Sequence, residues 1–196
     1  MDKTAIILIV ILTLPWTGVL IYILTKKSRA YKYYRKLQEK YELRTEHSGK
    51  QSPIFSGVYR TRQLKIENSV NGNKKLCTKL TVGCENPANF EFTLVKRNKS
   101  NSSVYSKGSF LLEDNEFDDK FIIHTNDLER VKRLFDFNTR FKLQQVNDLG
   151  FKGEIKLQGS SFTYIEPGLV NSDMAVMKLE LVLHELCDLA DVMKYN

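Results

Sequence analysis

An uninterrupted apolar run near the amino terminus constrains this chain more than any other feature. Residues 4–25 contain no charged side chain over 22 positions. Because an α-helix rises about 1.5 Å per residue, about 20 residues are enough to cross the roughly 30 Å hydrocarbon layer of a bilayer. The run therefore predicts a transmembrane helix, and we interpret residues 1–25 as a membrane anchor.

A cleaved signal peptide is the alternative interpretation of the same run. Signal peptides have a shorter apolar core, about 7 to 15 residues, followed by small residues at the cleavage site. Here the core is longer and the segment that follows it is basic. The pattern favours an anchor that remains attached to the chain.

Basic residues are concentrated directly after the run. Residues 26–44 hold eight Lys or Arg against two Glu, whereas residues 45–196 carry 21 basic and 20 acidic side chains. The positive-inside rule places such a flank in the cytoplasm, which predicts a single-pass protein of the cell membrane with its amino terminus outside and its domain cytoplasmic. Six basic residues are expected to contact the anionic surface of the lipid bilayer: Lys26, Lys27, Arg29, Lys32, Arg35 and Lys36.

The same charge distribution argues against a nucleic-acid partner. A nucleic-acid-binding domain carries a basic stripe within its folded part, with aromatic side chains interleaved for stacking on bases. Residues 45–196 are almost neutral, and they show no such stripe. Residues 26–44 thus contribute +6 of the net charge of +7, so the excess belongs to the membrane flank.

The sequence contains no recognisable catalytic, cofactor-binding or metal-binding motif. His184-Glu185 lacks the second histidine of the HExxH zinc motif, and the acidic segment 113–119 lacks the glycine and final glutamate of a calcium-binding EF-hand loop. Three cysteines form neither a disulfide framework nor a metal knuckle, and we interpret them as buried apolar side chains in a reducing compartment: Cys77, Cys84 and Cys187. We therefore predict no catalytic residue, no cofactor and no metal.

Residues 26–53 are predicted to form a basic juxtamembrane helix followed by a linker. The helix has an apolar stripe at three- and four-residue spacing, formed by Ala30, Tyr33, Tyr34, Leu37 and Tyr41. Packing of this stripe on the domain is favoured, with a position at the membrane interface as the alternative. Residues 45–53 are polar and contain Gly and Pro, which is typical of a linker. The domain is therefore expected to cover residues 54–196.

Alternation of apolar and polar residues predicts β-strands from residue 54 to residue 125. Asn71-Gly72-Asn73 separates two alternating segments and predicts a hairpin, and residues 86–89 predict a second turn before a strand at 90–95. Further strands are predicted at 104–112 and 121–125, separated by an acidic turn at 113–119 that Asp118 anchors. Asn126 is expected to be the N-cap of a helix with an apolar face formed by Leu128, Val131, Leu134 and Phe135.

The remaining segment predicts two helices and one hairpin. A short helix begins at Asn138, residues 151–165 alternate as a hairpin, and a long amphipathic helix follows residues 171–173. This last helix is expected to lie on the sheet, with a dimerisation helix as the rival interpretation. Its acidic outer face is expected to be solvated, with contact to the basic flank left open: Glu180, Glu185, Asp188 and Asp191.

The order of these elements resembles an uncharacterised family of bacterial membrane-anchored proteins. The resemblance covers most of residues 30–194 and includes the local pattern Phe117-Asp118-x-x-Phe121-x-Ile123-x-Thr125-Asn126-Asp127. It implies an α+β fold, with an N-terminal transmembrane helix followed by an antiparallel β-sheet domain with short helices and a long C-terminal amphipathic helix. It implies no catalytic residues.

These observations predict a noncatalytic interaction or accessory module at the inner membrane surface, with a membrane protein as a possible partner. An enzyme acting on a membrane-associated or small-molecule substrate is the alternative. A third and weaker hypothesis is that the basic flank senses anionic lipid. The sequence does not indicate an oligomeric state.

Overall fold

An antiparallel β-sheet forms the centre of the fold. A computed structural model describes residues 16–17, 28–46, 53–70, 75–98 and 109–195. Within these ranges the sheet has nine strands, in the order β1-β2-β3-β4-β9-β8-β5-β7-β6, and every neighbouring pair is antiparallel. The strands are β1 Arg44–Glu46, β2 Ile54–Tyr59, β3 Arg62–Val70, β4 Leu76–Gly83, β5 Phe92–Lys96, β6 Ser109–Phe110, β7 Phe121–Thr125, β8 Glu154–Gln158 and β9 Ser161–Pro167.

Helices accompany the sheet in the same described ranges. They are α1 at residues 28–40, α2 Asn115–Asp118, α3 Leu128–Leu134, α4 Phe137–Asp148 and α5 Asp173–Tyr195. The α+β class and the long C-terminal helix are thus confirmed. The predicted transmembrane run lies outside the described residues except for positions 16 and 17. Among the described residues, no helix is both long enough and apolar enough to cross a bilayer.

The hairpin of β8 and β9 joins two halves of the sheet. One half is the meander β1 to β4, and the other contains β5, β7 and β6. The edge of β9 pairs with β4, where Leu80 lies opposite Tyr164, and β8 pairs with β5, where Ile155 lies opposite Leu94. Since all four side chains are 1% exposed or less, the joint is part of the core.

The predicted hairpins have the expected register. In β3 and β4, Leu64 lies opposite Val82 and Val70 opposite Leu76, which centres the pair on the predicted Asn71-Gly72-Asn73 turn. The turn itself lies outside the described residues. Alternate residues of β4, such as Leu80 and Val82, enter the core, as period-two alternation requires.

Helices α1 and α5 bury their apolar stripes in the same core. In α1 the buried residues include Ala30, Tyr34 and Leu37. The predicted stripe of α5 is buried except for half-buried Val176, and comprises Leu179, Leu183, Leu186, Ala190 and Met193. Packing of both helices on the domain is therefore confirmed.

The predicted linker begins later than expected. Residues 44–46 form β1 and pair with β2, with Thr45 opposite Phe55. Pairing at the sheet edge satisfies the backbone of this polar segment, so its composition alone did not reveal the strand. Residues 47–52 lie outside the described ranges, as do residues 104–108 of the strand predicted at 104–112.

The acidic segment contains a short helix, so the prediction of a simple turn was wrong. Asp114 is the N-cap of α2, and its side chain accepts a hydrogen bond from the Phe117 amide. Asp118 anchors the segment as predicted, because its carboxylate accepts hydrogen bonds from the amides of Leu112 at 3.0 Å and Asp114 at 3.1 Å. Both carboxylates thus hold the backbone of the acidic segment in place.

The N-cap of α3 was predicted one residue too early. Asp127 is the cap, and its carboxylate accepts a hydrogen bond from the Arg130 amide at 3.0 Å. Asn126 instead accepts from the Glu91 amide at 2.9 Å and donates to the Asn89 carbonyl at 3.1 Å. Asn and Asp are both good N-cap residues, so the sequence alone could not distinguish Asn126 from Asp127. The contacts of Asn126 with residues 89 and 91 leave Asp127 as the cap.

Candidate functional site

An apolar groove of about 420 Å³ lies beside the first turns of α1. Its size falls within the range of roughly 300–1,000 Å³ that is usual for ligand pockets. We call it the α1 groove, and its lining residues are Ser28, Ala30, Tyr31, Tyr34, Pro53, Asn68, Leu76 and Leu169. Tyr31 is 55% exposed and Leu76 is 41% exposed, so two large apolar side chains stand at its mouth.

Five segments of the chain form the α1 groove. α1 supplies one wall, and the residue preceding β2 supplies Pro53. The paired ends of β3 and β4 supply Asn68 and Leu76, and the segment after β9 supplies Leu169. The groove therefore exists only because α1 packs across the end of the sheet.

The hydroxyl of Tyr34 holds the floor of the groove together. It donates a hydrogen bond to Asn68 Oδ1 at 2.5 Å, lies 2.9 Å from Thr78 Oγ1, and accepts one from the Val170 amide at 3.3 Å. The Tyr34 ring stacks on Phe55 with centroids 5.6 Å apart. Burial raises the pKa of Tyr34 above its ordinary value, so the hydroxyl stays protonated.

The predicted membrane-contact residues fall into distinct groups. Lys26 and Lys27 lie outside the described residues. Arg29 and Lys32 are exposed, and neither forms an ion pair with any residue that the structure describes. Farther along α1, exposed basic side chains form ion pairs: Arg35 pairs with Glu39 at 2.9 Å, Lys36 with Asp173 at 3.2 Å and Lys40 with Glu180 at 2.7 Å.

The acidic face of α5 is paired, so the expectation of a solvated face was wrong. One of its partners, Lys40, comes from α1, as the open alternative of contact with the basic flank had allowed, and Lys36 of α1 pairs with Asp173 in the first turn of α5. The turn and strand after β2 supply further partners, since Arg60 contacts Asp188 at 2.6 Å and Arg62 contacts Asp191 at 2.6 Å. Two ion pairs, from Lys36 and Lys40, thus join the basic flank to α5.

Glu185 is the largest departure from the predicted solvated face. It is 1% exposed, and Lys142 Nζ on α4 lies 3.3 Å from its Oε2 atom. Burial raises the pKa of Glu185 to about 7, against a partial lowering by Lys142. A signal for this burial was present in the sequence, because Val182 and Leu189 flank Glu185 at helical spacing on the buried side.

Neither Glu185 nor its neighbour His184 forms an open catalytic arrangement. The Glu185 carboxyl is enclosed between α4 and α5, where a substrate would have to displace a helix to reach it. His184 Nδ1 lies 3.2 Å from the Tyr59 hydroxyl, and burial lowers the pKa of this imidazole. The contact between His184 and Tyr59 therefore links α5 to β2.

A second buried polar cluster joins β9 to α5. Glu166 accepts hydrogen bonds from the Tyr164 hydroxyl and from Lys178 Nζ, and Lys178 also donates to the Gly150 carbonyl at 3.1 Å. Burial beside the Glu166 carboxylate raises the pKa of Tyr164. All three side chains are satisfied by one another, which indicates a structural role.

The cysteines occupy buried positions as free thiols, in agreement with their interpretation as apolar side chains. Burial raises the pKa of Cys84 and Cys187 to about 11, which disfavours the reactive thiolate. Within the described ranges, no group of three or more His, Cys, Asp or Glu side chains is arranged to hold a metal ion.

Comparison with known proteins identifies a related architecture. No protein-family model matches the sequence, and no curated protein is similar to it. The crystal structure of the mycobacterial trehalose monomycolate transport factor A, TtfA, superposes with a TM-score of 0.54, covering 81% of this chain and 93% of that chain. The two proteins share a fold. At 12% sequence identity the likeness concerns the fold alone, and it shows that this α+β architecture occurs in a bacterial protein.

Proposed function

We propose that this protein is a noncatalytic accessory module, held at the inner surface of the cell membrane and acting with a membrane-protein partner. The observation that carries the proposal is the position of Ala30. This residue is 3% exposed in the domain core, and only residues 26–29 separate it from the uncharged run 4–25.

This spacing leaves little room between membrane and domain. Four residues span at most about 14 Å even when fully extended. If the run crosses the bilayer, the core must begin within that distance of its end. A long flexible tether would allow the domain to search the cytoplasm, whereas this arrangement keeps it against the membrane.

The distribution of basic residues on α1 also supports a position of the domain against the membrane. Basic residues near an anionic leaflet contribute about 1 kcal/mol each. Lys36 and Lys40 pair with acidic residues of α5, whereas the exposed Arg29 and Lys32, at the end of α1 nearest the run, form no ion pair with the described residues. The exposed pair is therefore placed to contact lipid head groups.

An accessory role is favoured over an enzyme. The carboxyl with the most strongly raised pKa, Glu185, is enclosed between helices and hidden from any substrate. A protein with the same fold is named a transport factor for trehalose monomycolate. Transport factors act with other components, so we expect a protein partner in the membrane.

Topology is tested by cysteine labelling of the full-length protein in bacterial cells. The native thiols are buried, so a Glu129→Cys variant adds one accessible reporter at a side chain that is 80% exposed. We expect the protein in the membrane fraction after alkaline extraction, with labelling by an impermeant maleimide only after the cells are lysed. Labelling of intact spheroplasts, or recovery in the soluble fraction, would overturn the proposal.

The partner is tested by crosslinking in native membranes. We expect the full-length chain to capture a membrane protein reproducibly. The matched control replaces residues 4–25 with the transmembrane segment of an unrelated single-pass protein, which keeps the domain at the membrane. Capture by both forms would assign the contact to the domain, and loss of capture in the control would assign it to the anchor. Capture of no membrane protein by either form would contradict the partner.

A further inference from the structure

We propose that the α1 groove binds one acyl chain of an anionic phospholipid drawn from the adjacent leaflet. This inference rests on the proposed position of the domain against the membrane. It adds a defined site and a ligand class: an apolar chain in the groove and a phosphate at its mouth.

The lining of the groove fits an apolar chain. Ala30, Leu76 and Leu169 present aliphatic surface, and the Tyr31 ring stands at the mouth. Transfer of each methylene from water into such surroundings is favourable. The polar groups of the floor are occupied, because the Tyr34 hydroxyl and Asn68 bond to each other. A chain can therefore lie over them without leaving them unpaired.

The mouth carries charge of the sign that a phosphate requires. Lys32 follows the lining residue Ser28 by four positions, so these two side chains lie on the same face of α1, whereas Arg29 lies on the side of the helix away from Tyr31. Arg29 and Lys32 are both exposed and form no ion pair with the described residues, whereas Arg35, Lys36 and Lys40 have acidic partners. Lys32, which forms no ion pair with the described residues, thus lies at the rim of the apolar groove.

The position of the α1 groove beside the uncharged run favours the bilayer as the source of the ligand. Ser28 lines the groove only three positions after the last residue of the uncharged run. If the run crosses the bilayer, the groove lies beside the lipid head groups, where the local lipid concentration is high. A soluble fatty acid or a second copy of the chain would require no such placement.

The test uses full-length protein in nanodiscs that contain phosphatidylcholine with either phosphatidylglycerol or further phosphatidylcholine. One lipid carries a photoactivatable diazirine in its acyl chain, and mass spectrometry maps the labelled peptides. We expect labelling of residues 28–34 and of peptides that contain Leu76 or Leu169, and stronger labelling by phosphatidylglycerol. Replacing Lys32 with Gln should lower the preference about fivefold, and Arg29→Gln, on the other side of α1, should lower it less.

Matched variants separate groove binding from mere proximity to the membrane. Leu76→Asp places a charge at the mouth, where the side chain is 41% exposed, and should abolish domain labelling. Val58→Asp alters a 60% exposed residue near the opposite end of β2 and should leave labelling unchanged.

Two results would overturn the inference. One is labelling confined to residues 4–25, and the other is crosslinking of the groove to a second copy of the chain in place of lipid. Either result, with the protein still in the membrane fraction and its domain inside the cell, would leave the proposed function standing. Failure of the labelling experiment with Glu129→Cys would instead remove the basis of both proposals.

Discussion

Replacing Glu185 with Gln should stabilise the protein at neutral and mildly alkaline pH. The carboxyl is 1% exposed, and its pKa is raised from 4.5 to about 7. The folded state therefore binds this proton more tightly than the unfolded state. The favourable contribution is full below about pH 4.5 and is lost as the pH rises through about 7.

The size of the effect follows from the shift in pKa. Each pKa unit corresponds to about 1.4 kcal/mol, so a shift from 4.5 to about 7 costs about 3 kcal/mol once the carboxyl is ionised in the folded protein. Gln has nearly the same shape and does not titrate. The variant should exceed the wild type by less than about 1 kcal/mol at pH 5 and by about 3 kcal/mol at pH 8.

Pulse proteolysis in urea, with full-length protein in a nonionic detergent, measures this difference across pH 5 to 8. His184 has a lowered pKa and gives a slope of the opposite sign, but it is present in both proteins and cancels in the difference. As a control, Asp188→Asn removes a carboxyl whose pKa is lowered, so its cost should be nearly constant over this window. A flat difference between the Glu185→Gln variant and the wild type would refute the reasoning.

Three further substitutions test the packing, all by urea unfolding at pH 7. Tyr34→Phe removes the hydroxyl that bonds Asn68 and accepts from the Val170 amide, and should cost about 1–3 kcal/mol because a buried amide loses its partner. Tyr33→Phe on the same helix should change stability by less than about 0.5 kcal/mol, and equal losses would contradict the role of Tyr34. Lys178→Met leaves the buried Glu166 carboxylate without its cation and should cost about 3–5 kcal/mol. Adding Glu166→Gln to that variant should recover part of the loss, whereas an additive further loss would contradict the pairing. Gly153→Ala should cost more than Gly159→Ala, because the new methyl group would overlap the Ile165 carbonyl oxygen at position 153, while position 159 has open space and a φ of +57°. We expect about 1–3 kcal/mol for overpacking against about 1 kcal/mol for the backbone preference, and the reverse order would be inconsistent with the close approach of the two strands.

Local periodicity was sufficient to predict most elements of this fold. The β3–β4 and β8–β9 hairpins and the buried stripe of α5 follow from alternation and helical spacing. The strand order could not be read in the same way. β9 lies beside β4 although their paired residues Thr81 and Thr163 are far apart in sequence, and no local pattern specifies such a partner.

The candidate site was only partly predictable. The basic residues of α1 stood out by composition, but which of them form ion pairs depends in part on the acidic residues that α5 brings alongside them. The floor of the α1 groove joins Tyr34, Asn68, Thr78 and Val170 from four segments. Hydrogen-bonding partners at these separations leave no periodic signal in the sequence.

Spin-label depth measurement tests the central claim, that α1 holds the domain directly against the membrane. Tyr31→Cys places a label at the mouth of the groove, where the native side chain is 55% exposed. Glu129→Cys places one on α3, just after β7 at the opposite end of the sheet. In full-length protein reconstituted in liposomes, the label at position 31 should collide more often with oxygen than with a water-soluble nickel complex, and the label at position 129 should show the reverse. Equal access of the nickel complex to both labels would contradict the account.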